Sequence, residues 1–366
     1  MAVTLGPDDK VIALMGMTGV GKSSFIQLFT PESVGVGEDL ESFTSQVAVF
    51  PCQMPNSNEK FYLVDTPGFD DSNRPDQEIL REVSSWLTKT YADNIKLSGI
   101  IYLHRIMDVK FTGAAVRNLS MFKKLCGDGN LASVVLATTF WSKVDPDTGN
   151  TRENQLKTTP TFWGTMVNRG SQVFRHDSAE KSGAAIVQYL LDRRQKPVYT
   201  IQDEMVNEKK TLEETAAGTE VQTETDKVIR KYEQTIADLK QEIAEATQTH
   251  NEAMRQELER EKREHEEFIR KIQQEQEKMK VGDYALWQQR EMEREQERQE
   301  NKHRMEALME QISHMAKADG DRQQKVAELE KQLGIERMKY QTLQRSKFSV
   351  RFKTMLEEIG DFFRTL

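Results

Sequence analysis

A glycine-rich stretch near the start of the chain has the residue types and spacing of a phosphate-binding loop. Residues 16–23 read G-M-T-G-V-G-K-S, with the apolar run 11–15 before them and Ser24 and further apolar residues after them. The pattern G-x-x-x-x-G-K-[ST] between a strand and a helix binds phosphates through backbone N–H groups and its lysine, and binds Mg²⁺ through its hydroxyl. In this pattern Lys22 is the expected catalytic residue and Ser23 an expected magnesium ligand. The sequence predicts that a nucleotide contacts Gly16, Met17, Thr18, Gly19, Val20, Gly21, Lys22, Ser23 and Ser24.

An aspartate after a second apolar run extends this site. Residues 61–64 are apolar and lead into D-T-P-G-F-D-D, which begins at Asp65. A strand here would end at the same sheet edge as the loop, so we expect Asp65 to hold Mg²⁺ and the Gly68 N–H to meet the γ-phosphate. D-T-P-G about forty residues after such a loop favours GTPases over ATPases.

The polar segment between these two motifs lies where a nucleotide-sensing switch is expected. Thr44 is the predicted further magnesium ligand, because its hydroxyl could complete the metal shell and respond to the γ-phosphate. Ser42 and Ser45 are substitutes for this role. The alternative is that Thr44 only begins the strand 46–50.

Strand and helix patterns alternate from residue 10 to residue 194, with helices expected at 75–92 and 113–125. This alternation predicts an α/β fold with a doubly wound, mainly parallel sheet and with the ligand at the carboxyl ends of its strands. We expect this P-loop NTPase domain to cover residues 1–197.

Three segments together resemble one protein family: G-M-T-G-V-G-K-S, D-T-P-G-F-D-D and I-I-Y-L-H-R-I at residues 100–106. Over roughly residues 8–195 the chain is similar to the AIG1/immunity-associated and septin-like GTPases of the TRAFAC class, and most of all to fungal G-domain proteins that carry Y-L-H-R-I and T-T-x-W. The resemblance implies a G domain that binds GTP or GDP with Mg²⁺. It also implies a homodimer, because in these families the nucleotide domains pair across the nucleotide.

Two residues bear on the expected rate of hydrolysis. Phe69 stands where Ras-like GTPases have the glutamine that orients the attacking water, so the resemblance implies slow hydrolysis unless another group helps. Arg105 is the expected catalytic arginine, inserted into the site of a partner chain. The alternative, which we favour from the sequence, is that Arg105 and its neighbour His104 form local ion pairs, for example with Asp108.

The residues that would read the base are ambiguous. GTPases use [NT]-K-x-D after this strand, and its carboxylate accepts two hydrogen bonds from guanine. The family's T-T-x-W segment places these four residues at 139–142, where Ser142 replaces the aspartate and would weaken base discrimination. A shift by three residues gives S-K-V-D at 142–145, and we slightly prefer Asp145 and Lys143 as the base-contacting residues. Trp141 would then stack near the base, and the remaining alternative is an ordinary solvated turn.

The second part of the chain has a different composition. All nine prolines lie at or before Pro197, and residues 201–366 hold 30 Lys and Arg against 37 Asp and Glu. Residues 198–227 read as a linker or loosely helical stretch. Residues 228–345 read either as a solvated single helix without a partner or, as we prefer, as a coiled coil, with bends expected at Gly282 and Gly320. The coiled coil would be an extended dimeric rod or helices folded back as an antiparallel bundle. Its heptad-spaced apolar residues include Tyr232, Ile236, Leu239, Ile243 and Ala246.

The last segment, residues 346–366, predicts an amphipathic helix. Its apolar residues lie on one face with basic and acidic residues around them. Such a helix docks on protein or lies on a membrane surface, and docking on protein is the preferred alternative.

Charge and cysteine content exclude several classes of function. The net charge of −8 argues against nucleic acid as the main partner. The two cysteines have no metal-ligand spacing and predict no disulfide framework, which favours a cytoplasmic location. No apolar run approaches the ~18 residues that span a bilayer, so any membrane contact would be peripheral.

Together these features predict a Mg²⁺-dependent guanine-nucleotide-binding protein that hydrolyses GTP slowly to GDP and phosphate. The coiled coil would couple the nucleotide state to self-association or to a protein partner. Two alternatives stay open: a coiled-coil scaffold with a structural or non-hydrolysing nucleotide site, and an ATP-binding P-loop protein.

Overall fold

A computed structural model gives the fold of the chain. It describes residues 4–32, 34, 46–55, 57, 59–69, 74–109, 111–177, 180–193, 196–316, 323–345 and 349–350. Thr44, with its substitutes Ser42 and Ser45, lies outside the described residues, as does most of the predicted C-terminal helix 346–366.

Six strands form one sheet in the first half of the chain. The strands of the whole chain are β1 Thr4–Leu5, β2 Val11–Gly16, β3 Ala48–Gln53, β4 Lys60–Asp65, β5 Gly99–Arg105, β6 Val134–Thr139, β7 Gln172–Arg175 and β8 Ser349–Val350. The six-stranded sheet has the order β3-β4-β2-β5-β6-β7, and all its neighbours are parallel except β3 and β4. The two short strands β1 and β8 pair separately. The predicted mainly parallel sheet is confirmed.

Helices cover both faces of this sheet. They are α1 Lys22–Gln27, α2 Asp76–Ala92, α3 Gly113–Cys126, α4 Pro146–Thr158, α5 Thr165–Asn168, α6 Glu180–Leu191, α7 Thr200–Gln202, α8 Ala216–Gln248, α9 Glu252–Lys278, α10 Asp283–Ala316 and α11 Gln323–Arg345. Alternate residues of β2 point to opposite faces: Ala13 joins the core that contains α2 and α3, and Ile12 joins the core that contains α1 and α6. The doubly wound fold therefore places the ends of β2 and β4 between two apolar layers.

The predicted linker is instead a packed part of the domain. Within residues 198–227, fully buried side chains join the same core as α2 and α3; they are Tyr199, Ile201, Met205, Leu212 and Ala217. Helix α8 begins at Ala216, where the Thr215 hydroxyl accepts the Gly218 N–H at 3.0 Å. These few apolar residues, spread through polar sequence, are anchored one by one in the main core, and helices begin at Thr200 and Ala216. The division of the chain at residues 198 and 227 stays a prediction.

The long helices fold back on the first half of the chain. Helices α8 and α9 form an antiparallel pair. The centre of the Tyr232 ring lies 5.0 Å from that of His265 and 4.9 Å from that of Phe268, whereas Ala246, later in α8, packs with Leu258, earlier in α9. Leu239, Ile243 and Ala246 pack against this partner helix, so the heptad seam is used within the chain. Helix α10 packs on α2, and α11 packs on α10. Of the two arrangements left open, the structure has the folded-back one.

The breaks between these helices can be compared with one of the two predicted glycine bends, because Gly320 lies outside the described residues. One break, between α9 and α10, contains Gly282 as predicted. Another lies at Thr249 to Asn251, where His250 has a φ of +49° and the Asn251 side chain caps α9. Of the helices in the described ranges, none is long and apolar enough to cross a bilayer.

Candidate functional site

The glycine-rich loop leaves the carboxyl end of β2 in a conformation that needs its glycines. Gly16, Gly19 and Gly21 have φ values of +140°, +74° and +95°. A side chain at Gly16 would also collide with β5, because its Cβ would lie 2.5 Å from the Leu103 carbonyl oxygen. The loop is therefore held close to the sheet edge, as a phosphate cradle requires.

The lysine of the loop folds back over it. The Lys22 ammonium donates to the carbonyl oxygens of Gly16 at 3.2 Å and Met17 at 3.0 Å, and the side chain is 7% exposed. The two carbonyl oxygens accept hydrogen bonds from this buried ammonium and so replace part of the hydration that it loses. Lys22 thus presents a cation where the sequence predicts the β- and γ-phosphates.

The two predicted magnesium ligands in the described residues lie together. The Ser23 hydroxyl donates to Asp65 Oδ2 at 3.0 Å, and Asp65 is 2% exposed. Ser23 comes from the first turn of α1 and Asp65 from the last residue of β4. A hydroxyl and a carboxylate are the hard oxygen donors that Mg²⁺ prefers, so this pair fits the expected metal.

Hydrogen bonds fix the D-T-P-G turn and the residue after it to β2 and to the phosphate loop. The Thr66 hydroxyl donates to the Leu14 carbonyl at 2.6 Å, the Phe69 N–H donates to Gly16 O at 3.2 Å, and the Thr18 N–H donates to Phe69 O at 3.0 Å. A Cβ at Gly68 would lie 2.5 Å from Thr18 Oγ1, so only glycine fits this approach. The predicted γ-phosphate contact, the Gly68 N–H, is thereby brought to the phosphate loop.

Phe69 points away from this site. Its side chain is fully buried and belongs to the core that contains α2 and α3. The residue at the position of the water-orienting glutamine is thus a core residue, held by backbone bonds on both sides.

The end of β6 contacts the same loop through two residues. The Thr139 hydroxyl donates to the Val20 carbonyl at 2.9 Å and lies 3.3 Å from the His104 carbonyl. The next residue, Phe140, has a φ of +62°, and its ring lies 3.9 Å from where a Gly21 Cβ would stand. These contacts favour the placement of the base-reading residues at 139–142, with exposed Ser142 at its last position. In the sequence, the feature that indicates this placement is a hydroxyl residue, Thr139, at the end of the predicted strand.

The two base-contacting residues that we preferred from the sequence, Asp145 and Lys143, lie in different surroundings from Thr139 and Phe140. Asp145 is the N-cap of α4, and its Oδ1 accepts the Thr148 N–H at 2.9 Å. This capping hydrogen bond lowers the pKa of the exposed Asp145 carboxyl. Lys143 is exposed on the short helical turn 141–143. Contacts to the phosphate loop come from Thr139 and Phe140, whereas the role of Asp145 and Lys143 in base reading stays a prediction.

Trp141 is held by neighbours on β6 and β7. Its Nε1 donates to the Thr138 hydroxyl at 2.9 Å, and the Arg175 guanidinium lies 4.3 Å from the centre of its ring. Arg175 is fixed in turn by Glu153, to which its Nη2 donates at 2.7 Å. The indole therefore packs with Arg175 at the rim of the site.

Arg105 and His104 lie at the end of β5, on the other side of the loop. Arg105 forms the local ion pair that we favoured from the sequence, with Nε 3.1 Å from Asp108 Oδ1. Its guanidinium also lies beside the loop, because a Cβ at Gly19 would stand 3.5 Å from Arg105 Nη1. His104 is buried against the Phe111 ring, and burial lowers its pKa to about 4, with Arg105 lowering it further and Asp108 opposing.

One family model matches the first part of the chain. Residues 11–128 match the family model described as 50S ribosome-binding GTPase, which supports a P-loop GTPase domain and guanine-nucleotide binding in this segment. No curated protein matches the chain.

Three solved structures illustrate the similar folds. They are Toc33 from Arabidopsis thaliana with GDP and Mg²⁺ (15% identity, TM-score 0.41, covering 51% of this chain and 86% of that chain), elongation factor SelB from Methanococcus maripaludis with a GTP analogue (11%, 0.34, 53% and 35%), and a single-residue variant of Era from Aquifex aeolicus with GDP and AlF₄⁻ (13%, 0.34, 52% and 59%). Identities and TM-scores this low carry no information on individual residues of the site.

Proposed function

We propose that this chain binds GTP and GDP together with Mg²⁺ through residues 11–177 and hydrolyses GTP slowly. The observation that carries the proposal is the joint placement of the Lys22 ammonium over the glycine-rich loop and of the Ser23 hydroxyl 3.0 Å from Asp65. The match of residues 11–128 to a GTPase family model supports the same reaction.

Each residue of the loop has a distinct task in this reaction. The N–H groups around Gly19 and Gly21 bind the β-phosphate, and Lys22 binds oxygens of the β- and γ-phosphates. The bond that breaks joins the γ-phosphorus to the bridging oxygen, which leaves with GDP. Ser23 and Asp65 would hold Mg²⁺, which would neutralise the charge that develops on the phosphate oxygens. Thr44 is the expected further ligand, in the segment before β3.

Slow hydrolysis follows from Phe69. A GTPase needs a polar group that orients the attacking water opposite the leaving oxygen. The side chain at this position is apolar and fully buried, so it contributes no such group. Hydrolysis then depends on the electrostatic contributions of Lys22, Mg²⁺ and one further cation.

We propose Arg105 as that cation, acting in its own chain. Its guanidinium lies next to Gly19 and is oriented by Asp108, which favours a role in cis over insertion into a partner. The homodimer implied by the family resemblance is a separate proposal, and it predicts a different dependence of turnover on protein concentration. With a cis arginine, turnover per site is independent of protein concentration, whereas a paired site gives turnover that rises with it.

Base selectivity is expected to be weaker than in GTPases with an aspartate reader. Thr139 and Phe140 contact the loop, which favours Ser142 at the reading position. A serine hydroxyl cannot make two charge-assisted hydrogen bonds to guanine. This observation is the one that favours the ATP-binding alternative.

Titration calorimetry with GTP, GDP and ATP analogues in the presence of Mg²⁺ tests the proposal. Lys22→Ala should abolish binding of all nucleotides, whereas Lys124→Ala, at an exposed lysine of α3, should leave binding unchanged. Tight GTP binding by Lys22→Ala would contradict the phosphate-cradle assignment. Equal affinity for GTP and ATP would favour the ATP-binding alternative. Nucleotide binding with no phosphate release under multiple-turnover conditions would favour the scaffold.

A further inference from the structure

A cleft between four helices lies outside the candidate nucleotide site. It is lined by the start of α2 and by residues of α3, α8 and α9. Its volume is about 160 Å³, and an apolar cavity of about 150 Å³ is large enough to hold benzene. This four-helix cleft therefore has room for a compact organic group of that size.

The inner wall of the four-helix cleft is apolar. Met121 of α3, Val221 of α8 and Ile272 of α9 line it and are 2%, 5% and 4% exposed. Phe268 of α9 also lines the cleft and is 38% exposed, although its ring packs on that of Tyr232. Small-molecule sites combine an apolar lining of this kind with a few placed polar groups, and they occur between the helices of bundles. The apolar part of a ligand thus has a surface to pack against in this cleft.

Two neighbouring donors in the four-helix cleft lack an acceptor. Asn118 of α3 lines the cleft and is 2% exposed, and its side-chain nitrogen has no hydrogen-bond partner among the described residues. A buried donor in this state destabilises the fold unless something else accepts its hydrogen bond. Arg117, the residue before it, also lines the cleft, and within the described part of the chain its guanidinium forms no ion pair. The second arginine of the cleft, Arg74, is already paired with Glu78 at 2.7 Å.

The carboxylates that line the same cleft have partners within the chain. Glu220 of α8 accepts the Ser120 hydroxyl at 2.6 Å, and Glu224, one turn later, pairs with Lys227 at 2.7 Å. Asp76, in the first turn of α2, has a partner as well. The cleft therefore offers donors that are free and acceptors that are engaged, so its complement is an acceptor group. A carboxylate is the planar acceptor that matches a guanidinium and a neighbouring amide.

We propose that the four-helix cleft binds a small carboxylic acid whose apolar body is about the size of a benzene ring. The carboxylate accepts hydrogen bonds from Arg117 and Asn118, and the apolar body packs on Met121, Val221 and Ile272. Because these residues come from α3 and from the α8–α9 pair, the bound acid stabilises the docking of that pair on α3. The proposal goes beyond the proposed function and shares no residue with the nucleotide site.

A ligand titration of the full chain tests this proposal. The probe is 3-(4-fluorophenyl)propionate, observed by fluorine NMR, and its uncharged comparison is the corresponding amide. We expect saturable binding of the acid with a Kd below about 1 mM, and binding of the amide at least tenfold weaker. No saturation by the acid at ten times that concentration overturns the proposal. Equal affinity for acid and amide overturns the assignment of a carboxylate ligand.

Charge and shape variants locate the bound probe. Arg117→Gln should weaken the acid at least tenfold and leave the amide within twofold, whereas Arg230→Gln, at an exposed arginine of α8 outside the cleft, should change neither. Val228 is half-buried and lines the cleft, so Val228→Phe should fill it and abolish binding of both compounds. Full binding of the acid by Arg117→Gln or by Val228→Phe would show that the acid binds elsewhere and would overturn the proposal.

Asn118→Leu separates a role in binding from a role in the fold. Leucine has nearly the shape of asparagine but no donor. If Asn118 serves the ligand, this variant should bind the acid at least fivefold more weakly, while the midpoint of urea unfolding without ligand stays unchanged or rises, because an unpartnered buried polar group has been removed. A lower midpoint would show that Asn118 stabilises the fold itself and would overturn its assignment as a ligand-binding residue.

Discussion

Ser142→Asp is expected to increase the preference of this chain for GTP over ATP. The contact of Thr139 with Val20, at 2.9 Å, favours Ser142 as the residue that faces the guanine edge. An aspartate there would accept hydrogen bonds from both the ring N–H and the exocyclic amine of guanine. Adenine does not present these two donors side by side, so the new carboxylate would receive no matching pair of hydrogen bonds from it.

The size of the gain follows from the two kinds of hydrogen bond. A neutral hydroxyl bond contributes about 0.5–1.5 kcal/mol net, and a bond to a charged group about 1.5–3 kcal/mol. Two charged bonds in place of one neutral bond give roughly 1.5–5.5 kcal/mol. Ser142 is exposed, and competition with water places the expected gain at the lower end, about 1.5–3 kcal/mol or roughly ten- to a hundredfold in the affinity ratio.

The assay is competition titration of GTP, ITP and ATP against the parent chain and two variants. ITP lacks the exocyclic amine and should gain about half as much as GTP in Ser142→Asp. The matched control is Asp145→Asn, which removes the charge but retains an oxygen that can cap α4 through the Thr148 N–H. Loss of GTP preference in Asp145→Asn, together with no gain in Ser142→Asp, would refute the placement and restore Asp145 as the base reader.

Three further experiments test the surroundings of the site. Thr139→Val should lower the free energy of unfolding by about 1–3 kcal/mol in urea titration, because the buried Val20 carbonyl loses a donor, whereas Thr139→Ser should cost less than half of that. Phe69→Gln should destabilise the chain by about 3 kcal/mol without faster phosphate release, since its amide would enter an apolar core; faster release at unchanged stability would contradict the assigned role. The pKa of His104 is about 4 when folded and about 6.5 when unfolded, so the unfolded chain binds the extra proton between these values and stability should fall by about 3 kcal/mol as pH falls from 6.5 to 4. Urea titration at both pH values should give a much smaller difference in His104→Gln, and an equal difference would exclude this cause.

The residues of the candidate phosphate site could be identified from the sequence because the pattern that marks them is local. The residues of the loop from Gly16 to Ser23 are contiguous, and Asp65 follows its own strand. The mainly parallel sheet follows in the same way, from a regular alternation of apolar runs and helical patterns. What these features share is that no contact between distant segments is needed to recognise them.

The base-reading segment and the charged helices show where this reasoning fails. Two placements of the base readers differ by three residues, and the contacts of Thr139 and Phe140 with the loop favour the placement at 139–142. Helix α10 lies within the charge-rich segment 228–345, which by its sequence is typical of a coiled coil, yet Arg290 and Arg294 are buried. Their burial depends on a complementary carboxylate at Glu82, more than 200 residues earlier in the chain, and no pattern within one element reports such a partner.

The packing of the tail also bears on synthesis of the chain. Met279 and Leu286 belong to the same core as Leu119 of α3 and Ile79 of α2. At about 5–20 residues per second, the ribosome needs roughly 5 to 20 s to proceed from β7, the last strand of the six-stranded sheet, to Leu286. During that interval the apolar side of α2 and α3 has emerged without the residues that cover it. The nascent first half of this protein is therefore expected to be a substrate for ribosome-associated chaperones until its long helices arrive.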